Sequence, residues 1–167
     1  ITEHKTTAEL LLEQSAVIED IANKFIQSLK SGGKILLCGN GGSAADAQHV
    51  AAELMGRFKL KRRAWPAIAL VSNPSTVTAI GNDYGFEYVF ARQVEALAKK
   101  GDVVVGISTS GNSPNVLKAL EEGKKHGCAT VGATGKNSGA LRPLVDICFC
   151  APSDDTARIQ EAHILMW

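Results

Sequence analysis

The sequence carries almost no net charge: 18 lysines and arginines stand against 17 aspartates and glutamates over 167 residues, leaving +1. Gripping nucleic acid by phosphate neutralisation needs a marked basic surplus, so that class of partner is excluded. No stretch approaches the ~20 consecutive apolar residues of a membrane-spanning helix, so no membrane partner is expected. No basic-then-apolar leader opens the chain either, and the expected location is the cytoplasm. The four cysteines, Cys38, Cys128, Cys148 and Cys150, contain no C-x-x-C pair, which removes a zinc ribbon. Each lies in or beside an apolar, strand-like run, so buried, reduced thiols are expected. Cys148-Phe149-Cys150 would put two thiols on one face of a strand. Linkers and low-complexity tracts are also missing, and one domain over 1–167 is expected.

What is present is ordinary globular material, 45% hydrophobic and 21% charged. A chain of this length buries roughly two thirds of its unfolded surface and needs no staples to fold. Ile1 stands where a methionine would, and an apolar helical run is still in progress at Trp167. Both ends are therefore expected to be boundaries of a longer chain.

Apolar residues at Leu10, Leu11, Ala16, Ile18, Ile21, Phe25, Ile26 and Leu29 recur in steps of three and four, predicting one long amphipathic helix. Ser31-Gly32-Gly33 ends it as a glycine cap would. Five short apolar runs follow, at 35–38, 67–71, 103–107, 129–133 and 145–149, with helical patterns at about 43–57, 86–99, 115–126 and from about 154. Strands that alternate with helices predict a parallel sheet covered on both faces. The expected fold is α/β: a single doubly wound parallel five-stranded sheet flanked by helices, with the long N-terminal helix added. Such sheets bind ligands beyond the C-terminal ends of their strands, so the chemistry is sought there.

Gly39-Asn40-Gly41-Gly42-Ser43 follows the first strand and opens a helix. Glycines let a backbone approach a ligand, and the free amides of a helix start attract an anion. The spacing is neither G-x-G-x-x-G nor a G-K-[ST] phosphate loop, and a plain tight turn remains an alternative. Ser108-Thr109-Ser110-Gly111-Asn112-Ser113-Pro114 follows the third strand. Four hydroxyls are more than a helix cap requires, and with the amides they make a neutral cradle for an anion, phosphate being expected. Gly81-Asn82-Asp83-Tyr84-Gly85-Phe86 reads as a polar turn that either reaches a sugar hydroxyl or is purely structural.

His49 and Glu53, four apart on the predicted helix after the first loop, share one face. They either hold a divalent metal together or form an exposed helical pair. Near the C-terminus, Gln160 and His163 are three apart, on a face that is either functional or merely exposed. Arg57, Lys59, Lys61, Arg62 and Arg63 are a solvated loop or an attractor of anionic substrate.

With C-G-N-G-G-S-A-A-D-A-Q-H-V-A-A-E-L at 38–54, A-I-G-N-D-Y-G-F at 79–86, G-I-S-T-S-G-N-S at 106–113 and R-I-Q-E-A-H at 158–163, the chain resembles the SIS (sugar isomerase) domain family. Within it, the resemblance is to the phosphoheptose isomerases, and it runs the whole length in order. It implies interconversion of sedoheptulose 7-phosphate and D-glycero-D-manno-heptose 7-phosphate, for the heptose of bacterial surface polysaccharide, by a cytoplasmic homotetramer with shared active sites. Asn40, Gly41, Gly42, Glu53, Asn82, Asp83 and Gln160 would then touch the substrate. Ser108, Thr109, Ser110 and Ser113 would hold its phosphate, and Glu53 would be the catalytic base. One zinc per subunit would be bound by His49, Glu53 and Gln160. The family's remaining ligand is a histidine eight positions past the glutamine, which here falls one position beyond Trp167; His163 does not match it. Some relatives are non-catalytic phosphosugar binders or adaptors of a replication initiator. They lack the acid found here as Glu53, so its presence favours the enzyme. A different ketose phosphate stays open as substrate.

Overall fold

In the computed structural model, which describes residues 1–167, the strand β1 (Ile35–Gly39) is buried at every position. Its side chains alternate: Ile35 and Leu37 enter one core, Leu36 and Cys38 the other. A strand buried on both faces must be covered twice. The other strands are β2 (Ala67–Ala69), β3 (Val103–Ile107), β4 (Ala129–Thr134) and β5 (Ile147–Cys150). All pair in parallel in the order β2-β1-β3-β4-β5, with Gly39 opposite Ile107 and Ile107 opposite Ala133. This is the doubly wound sheet that the sequence predicts.

One face is covered by the N-terminal arm, by α3 (Gly42–Met55) and by α7 (Thr156–Met166). The opposite face is covered by α5 (Ala91–Leu97) and α6 (Pro114–Lys125). The arm is α1 (Thr2–Leu10) and α2 (Ser15–Lys30), joined by a 3₁₀ turn at Leu11–Gln14, where one continuous helix is expected. Gly32 ends it in the left-handed region, φ +83°. No helix is long and apolar enough to cross a membrane.

Two local expectations are corrected. Gly81-Asn82-Asp83-Tyr84 is not a turn but the end of a helix, α4 (Pro74–Tyr84). Asn73 starts that helix, its side chain accepting from the Thr76 amide at 3.1 Å, with Pro74 at the first helical position. None of its residues is buried, so it leaves no apolar stripe in the sequence. The last strand begins at Ile147 rather than Val145. The Asp146 carboxylate accepts from the Thr130 amide (2.7 Å) and hydroxyl (3.0 Å), occupying the place of a ladder carbonyl. Elsewhere, the predicted helix over 86–99 is a 3₁₀ turn at Phe86–Tyr88 followed by α5.

Two buried polar groups anchor opposite ends of the sheet. At the N-terminal end, the Asp102 carboxylate accepts from the amides of Lys34 (2.9 Å) and Lys99 (2.8 Å) and pairs with the Lys34 ammonium. At the C-terminal end, fully buried His163 of α7 points Nε2 at the Thr134 carbonyl, 3.1 Å away, and sets its ring edge-on to Phe149. A carbonyl only accepts, so the proton of His163 is on Nε2, and its Nδ1 is buried with no partner.

Burial holds the His163 imidazole below its ordinary value of 6.5. The unfolded chain therefore binds the proton more readily, and stability falls as pH drops below about 6.5. The slope approaches about 1.4 kcal/mol per pH unit for one proton. Unfolding midpoints measured from pH 8 to pH 5 are expected to fall more steeply for the native chain than for His163→Gln, which keeps the donor but cannot titrate. Parallel curves would refute the assignment.

Candidate active site

In the strand order β2-β1-β3-β4-β5, β1 and β3 are neighbours, but their following helices depart to opposite faces, α3 to one and α6 to the other. The two loops diverge and leave a crevice between them, the point where doubly wound sheets take ligands. Both phosphate-loop candidates predicted from the sequence flank this crevice.

The β1 loop turns through Gly41, at φ +55°, into the first turn of α3. Its Asn40 forms a reciprocal amide pair with Asn115 of α6, each Nδ2 donating to the other's Oδ1 at 2.9 Å. Asn115 is buried and also receives the Val116 amide at 3.0 Å. The pair staples the two sides of the crevice together. The Gln160 amide of α7 lies on the α-carbon of Gly42, so that a Cβ there would stand 2.5 Å from the Gln160 side-chain nitrogen and displace it. Gln160 is thus brought to the Gly41-Gly42 turn.

The β3 loop is built to present donors. Ser108 is buried, and its hydroxyl meets that of Ser113 at 2.9 Å across the loop. The backbone amides of Thr109, Ser110 and Ser113 donate to no carbonyl of the chain, and Ser113 and Pro114 begin α6. Those amides, the hydroxyls and the helix start are an uncharged set of donors of the kind that can receive an anion. The loop is held from behind: Gly135 donates to the Thr109 carbonyl at 3.0 Å and Leu141 to that of Gly111 at 3.0 Å. Gly111, at φ +67°, lies directly under the Ser138 carbonyl and tolerates no side chain.

His49 and Glu53 lie further along α3, with Nε2 and Oε1 3.7 Å apart and both side chains open to solvent. One turn earlier, the Oδ2 of Asp46 is buried without a partner, and burial pushes its carboxyl up, opposed by His49. An imidazole nitrogen and a carboxylate oxygen are donor types that zinc takes, while the Gln160 amide lies at Gly42, seven residues before His49 on the same helix. They do not close a site by themselves, since no three His, Cys, Asp or Glu side chains converge anywhere in the chain. Asn82 and Asp83 stand apart on the exposed last turn of α4, where Asn82 donates to Asp83 at 2.8 Å.

The basic run divides. Arg62 donates to the carbonyls of Glu53 (2.7 Å) and Leu54 (2.9 Å), finishing the C-terminus of α3, and stacks 3.9 Å over Trp65. Arg57, Lys59, Lys61 and Arg63 are exposed. Next to His49 and Glu53 opens a cavity of about 910 Å³ lined by Phe25, Leu54, Phe58, Trp65, Leu165 and Trp167. Sequence reasoning overlooked Asn115 and Asp46. The first sits one residue past the helix-starting proline and the second three before His49; those spacings were their only signals.

Comparison with known proteins agrees with this fold. The family model described as SIS domain matches residues 4–135. A phosphoheptose isomerase of a Nitratiruptor species is 58% identical over 167 residues, covering 99% of this chain and 89% of the relative. A solved phosphoheptose isomerase from Neisseria gonorrhoeae superposes with a TM-score of 0.88 at 44% identity, over 97% of this chain and 85% of that one. One from Francisella tularensis gives a TM-score of 0.92 at 38% identity, over 99% and 90%.

If the Asn40–Asn115 pair staples the crevice, Asn115→Ala leaves the half-buried Asn40 amide and the Val116 N–H without this partner and costs about 1–3 kcal/mol in urea unfolding. The double variant Asn40→Ala with Asn115→Ala is expected to lose less than the sum of the single losses. Strict additivity would show that the two amides act independently.

Proposed function

The chain belongs to the SIS domain family and, within it, to the phosphoheptose isomerases, and on that premise we propose that it interconverts sedoheptulose 7-phosphate and D-glycero-D-manno-heptose 7-phosphate. Membership makes it an aldose–ketose isomerase; the particular sugar is our reading. The observation that carries it is the pairing of an uncharged anion cradle after β3 with a carboxylate on the helix that leaves the β1 glycine turn.

Isomerisation moves a proton between C1 and C2 of the open-chain sugar through an enediol. We assign the phosphate to the hydroxyls of Ser108, Thr109, Ser110 and Ser113 with the unpaired amides of that loop. Anchoring this far end orients the reacting carbons. Asn40, Gly41 and Gly42 offer an amide and close-approaching backbone to the sugar hydroxyls, with Gln160 as a further contact; Asn82 and Asp83, which stand apart in the single chain, would reach a sugar from a neighbouring subunit. Glu53 takes the proton from one carbon at its carboxylate and returns it to the other. His49, Glu53 and Gln160 would hold zinc, which when bound polarises a carbonyl oxygen as a Lewis acid.

We further read the molecule as a cytoplasmic homotetramer with shared sites that supplies heptose for surface polysaccharide. The apolar cavity beside Glu53 supports the assembly: Phe58 (68%), Leu60 (78%) and Leu165 (59%) expose large side chains around it. Binding without catalysis is the weaker reading, since it leaves Glu53 without a task.

The test is turnover of sedoheptulose 7-phosphate. Glu53→Gln is expected to lower kcat by about 10²–10⁴-fold while phosphosugar affinity, measured by calorimetry, stays within several-fold. Normal turnover in that variant would sink the base assignment, and tight binding without turnover in the native chain would favour a binding protein. Replacing Ser108 and Ser110 together with alanine is expected to weaken every phosphosugar by about tenfold or more. Unchanged affinity would place the phosphate elsewhere. Chelation of metal is expected to reduce turnover and added zinc to restore it.

A further inference from the structure

Cys148 and Cys150 stand two residues apart on β5, the edge strand of the sheet, so their side chains leave on the same face. Phe149 between them is buried in the opposite core. The two sulfurs are 3.7 Å apart, within hydrogen-bonding distance. Both are half-buried: β5 is an edge strand with no strand beyond it, and Cys148 packs against the rim of the core on that face. From the 3₁₀ turn Arg142–Leu144 the Arg142 guanidinium reaches the Cys150 sulfur at 4.0 Å.

The other two thiols are set quite differently. Cys38 is buried beneath the β1 loop, its sulfur 3.5 Å from the Val105 carbonyl, and burial pushes its thiol up to about 12. Cys128 is buried and donates to the Lys99 carbonyl at 3.4 Å; burial pushes it up as well. In the pair, the contact with Cys148 and then the Arg142 guanidinium hold the Cys150 thiol below the usual thiol range despite its burial. The same contact and burial push the Cys148 thiol up. The sulfur beside the cation is therefore the one favoured as a thiolate and its neighbour the one favoured as a thiol, the arrangement of a nucleophile and its resolving partner.

We propose that Cys148 and Cys150 form a reversible thiol-modification site for hydroperoxides, in which Cys150 is the nucleophile and Cys148 the resolving thiol. The Cys150 thiolate attacks the terminal peroxide oxygen and the O–O bond breaks. The departing oxygen takes a proton from solvent and leaves as an alcohol or water; the sulfur is oxidised to a sulfenic acid and the peroxide is reduced. The Cys148 sulfur then attacks that of Cys150, the S–O bond breaks, and the proton of Cys148 leaves with the hydroxyl as water. In sum, two thiols and one hydroperoxide give one disulfide, one alcohol or water, and one further water. Residues two apart on a strand have α-carbons about 6.6 Å apart, at the long end of what a disulfide spans. A bridge is therefore within reach of the two side chains, and on a half-buried edge strand it stays accessible to a reductant, as a reversible mark requires.

The test treats the native chain with a small excess of hydrogen peroxide at neutral pH, followed by intact mass and peptide mapping. The expected product has lost two hydrogens, carries one bridge between Cys148 and Cys150, and is restored by a dithiol reductant, with Cys38 and Cys128 untouched. In Cys148→Ser the reaction is expected to stop at a sulfenic acid that dimedone traps on Cys150. In Cys150→Ser peroxide consumption is expected to fall by about tenfold or more. An unchanged mass, a bridge through Cys38, Cys128 or a second chain, or a Cys150→Ser protein that reacts at the native rate would each overturn the proposal. The native-chain map decides the matter even where a variant fails to fold.

Discussion

The adjacency of β1 and β3 is the constraint on which the functional end of this molecule depends. Their register sets Gly39 opposite Ile107, so both strands end at the same height while their chains turn to opposite faces. The divergence would leave two loops with nothing in common. The reciprocal amides of Asn40 and Asn115 close it, each donating to and accepting from the other. A buried amide pair in this form satisfies itself, and either partner alone would be a liability. The β1 turn, the β3 cradle and the start of α6 therefore form one rigid unit.

The rest of the site is attached to that unit by two helices. α3 begins in the glycine turn and carries His49 and Glu53 along its exposed side, while Arg62 completes its last turn. α7 is locked by buried His163 against the Thr134 carbonyl, and three residues earlier in the same helix Gln160 rests on Gly42. Stability and function are thereby segregated. The Asp102 network secures the N-terminal ends of β1 and β3, at the opposite end of the sheet from the loops proposed to bind ligand, so those loops are free to hold unpaired donors.

Those parts of the fold that were legible in the sequence are the ones whose burial is total. Ile35-Leu36-Leu37-Cys38 and Val103-Val104-Val105 have no exposed face, so they read as apolar runs, and the glycine and hydroxyl clusters after them could be placed at strand ends. α4 was illegible because it buries nothing and because Gly81 and the β-branched Thr76, Val77 and Thr78 dilute any helical signal. Asn115 gave no sign because its importance arises from Asn40, 75 positions away. The position of Gln160 against Gly42 is likewise a matter of packing between helices that pattern alone does not reveal.

The cradle after β3 holds no lysine or arginine, and the chain as a whole is nearly neutral. The proposed anion binding would depend on short-range dipoles rather than on a long-range field, which favours a ligand that fits the loop over anions in general. Glu53 stands in the opposite situation, open to solvent in the single chain, where water competes for its charge and weakens its interactions. The apolar residues around it change that balance if the proposed tetramer covers them. Burying a side chain such as Phe58 or Leu165 contributes about 1.5–3 kcal/mol, and the same contact would exclude water from the carboxylate beside it. On this reading assembly does more than hold subunits together. It places the base in the dry surroundings in which proton transfer from carbon is effective, so the separated chain would keep its phosphate cradle and lose its catalytic environment.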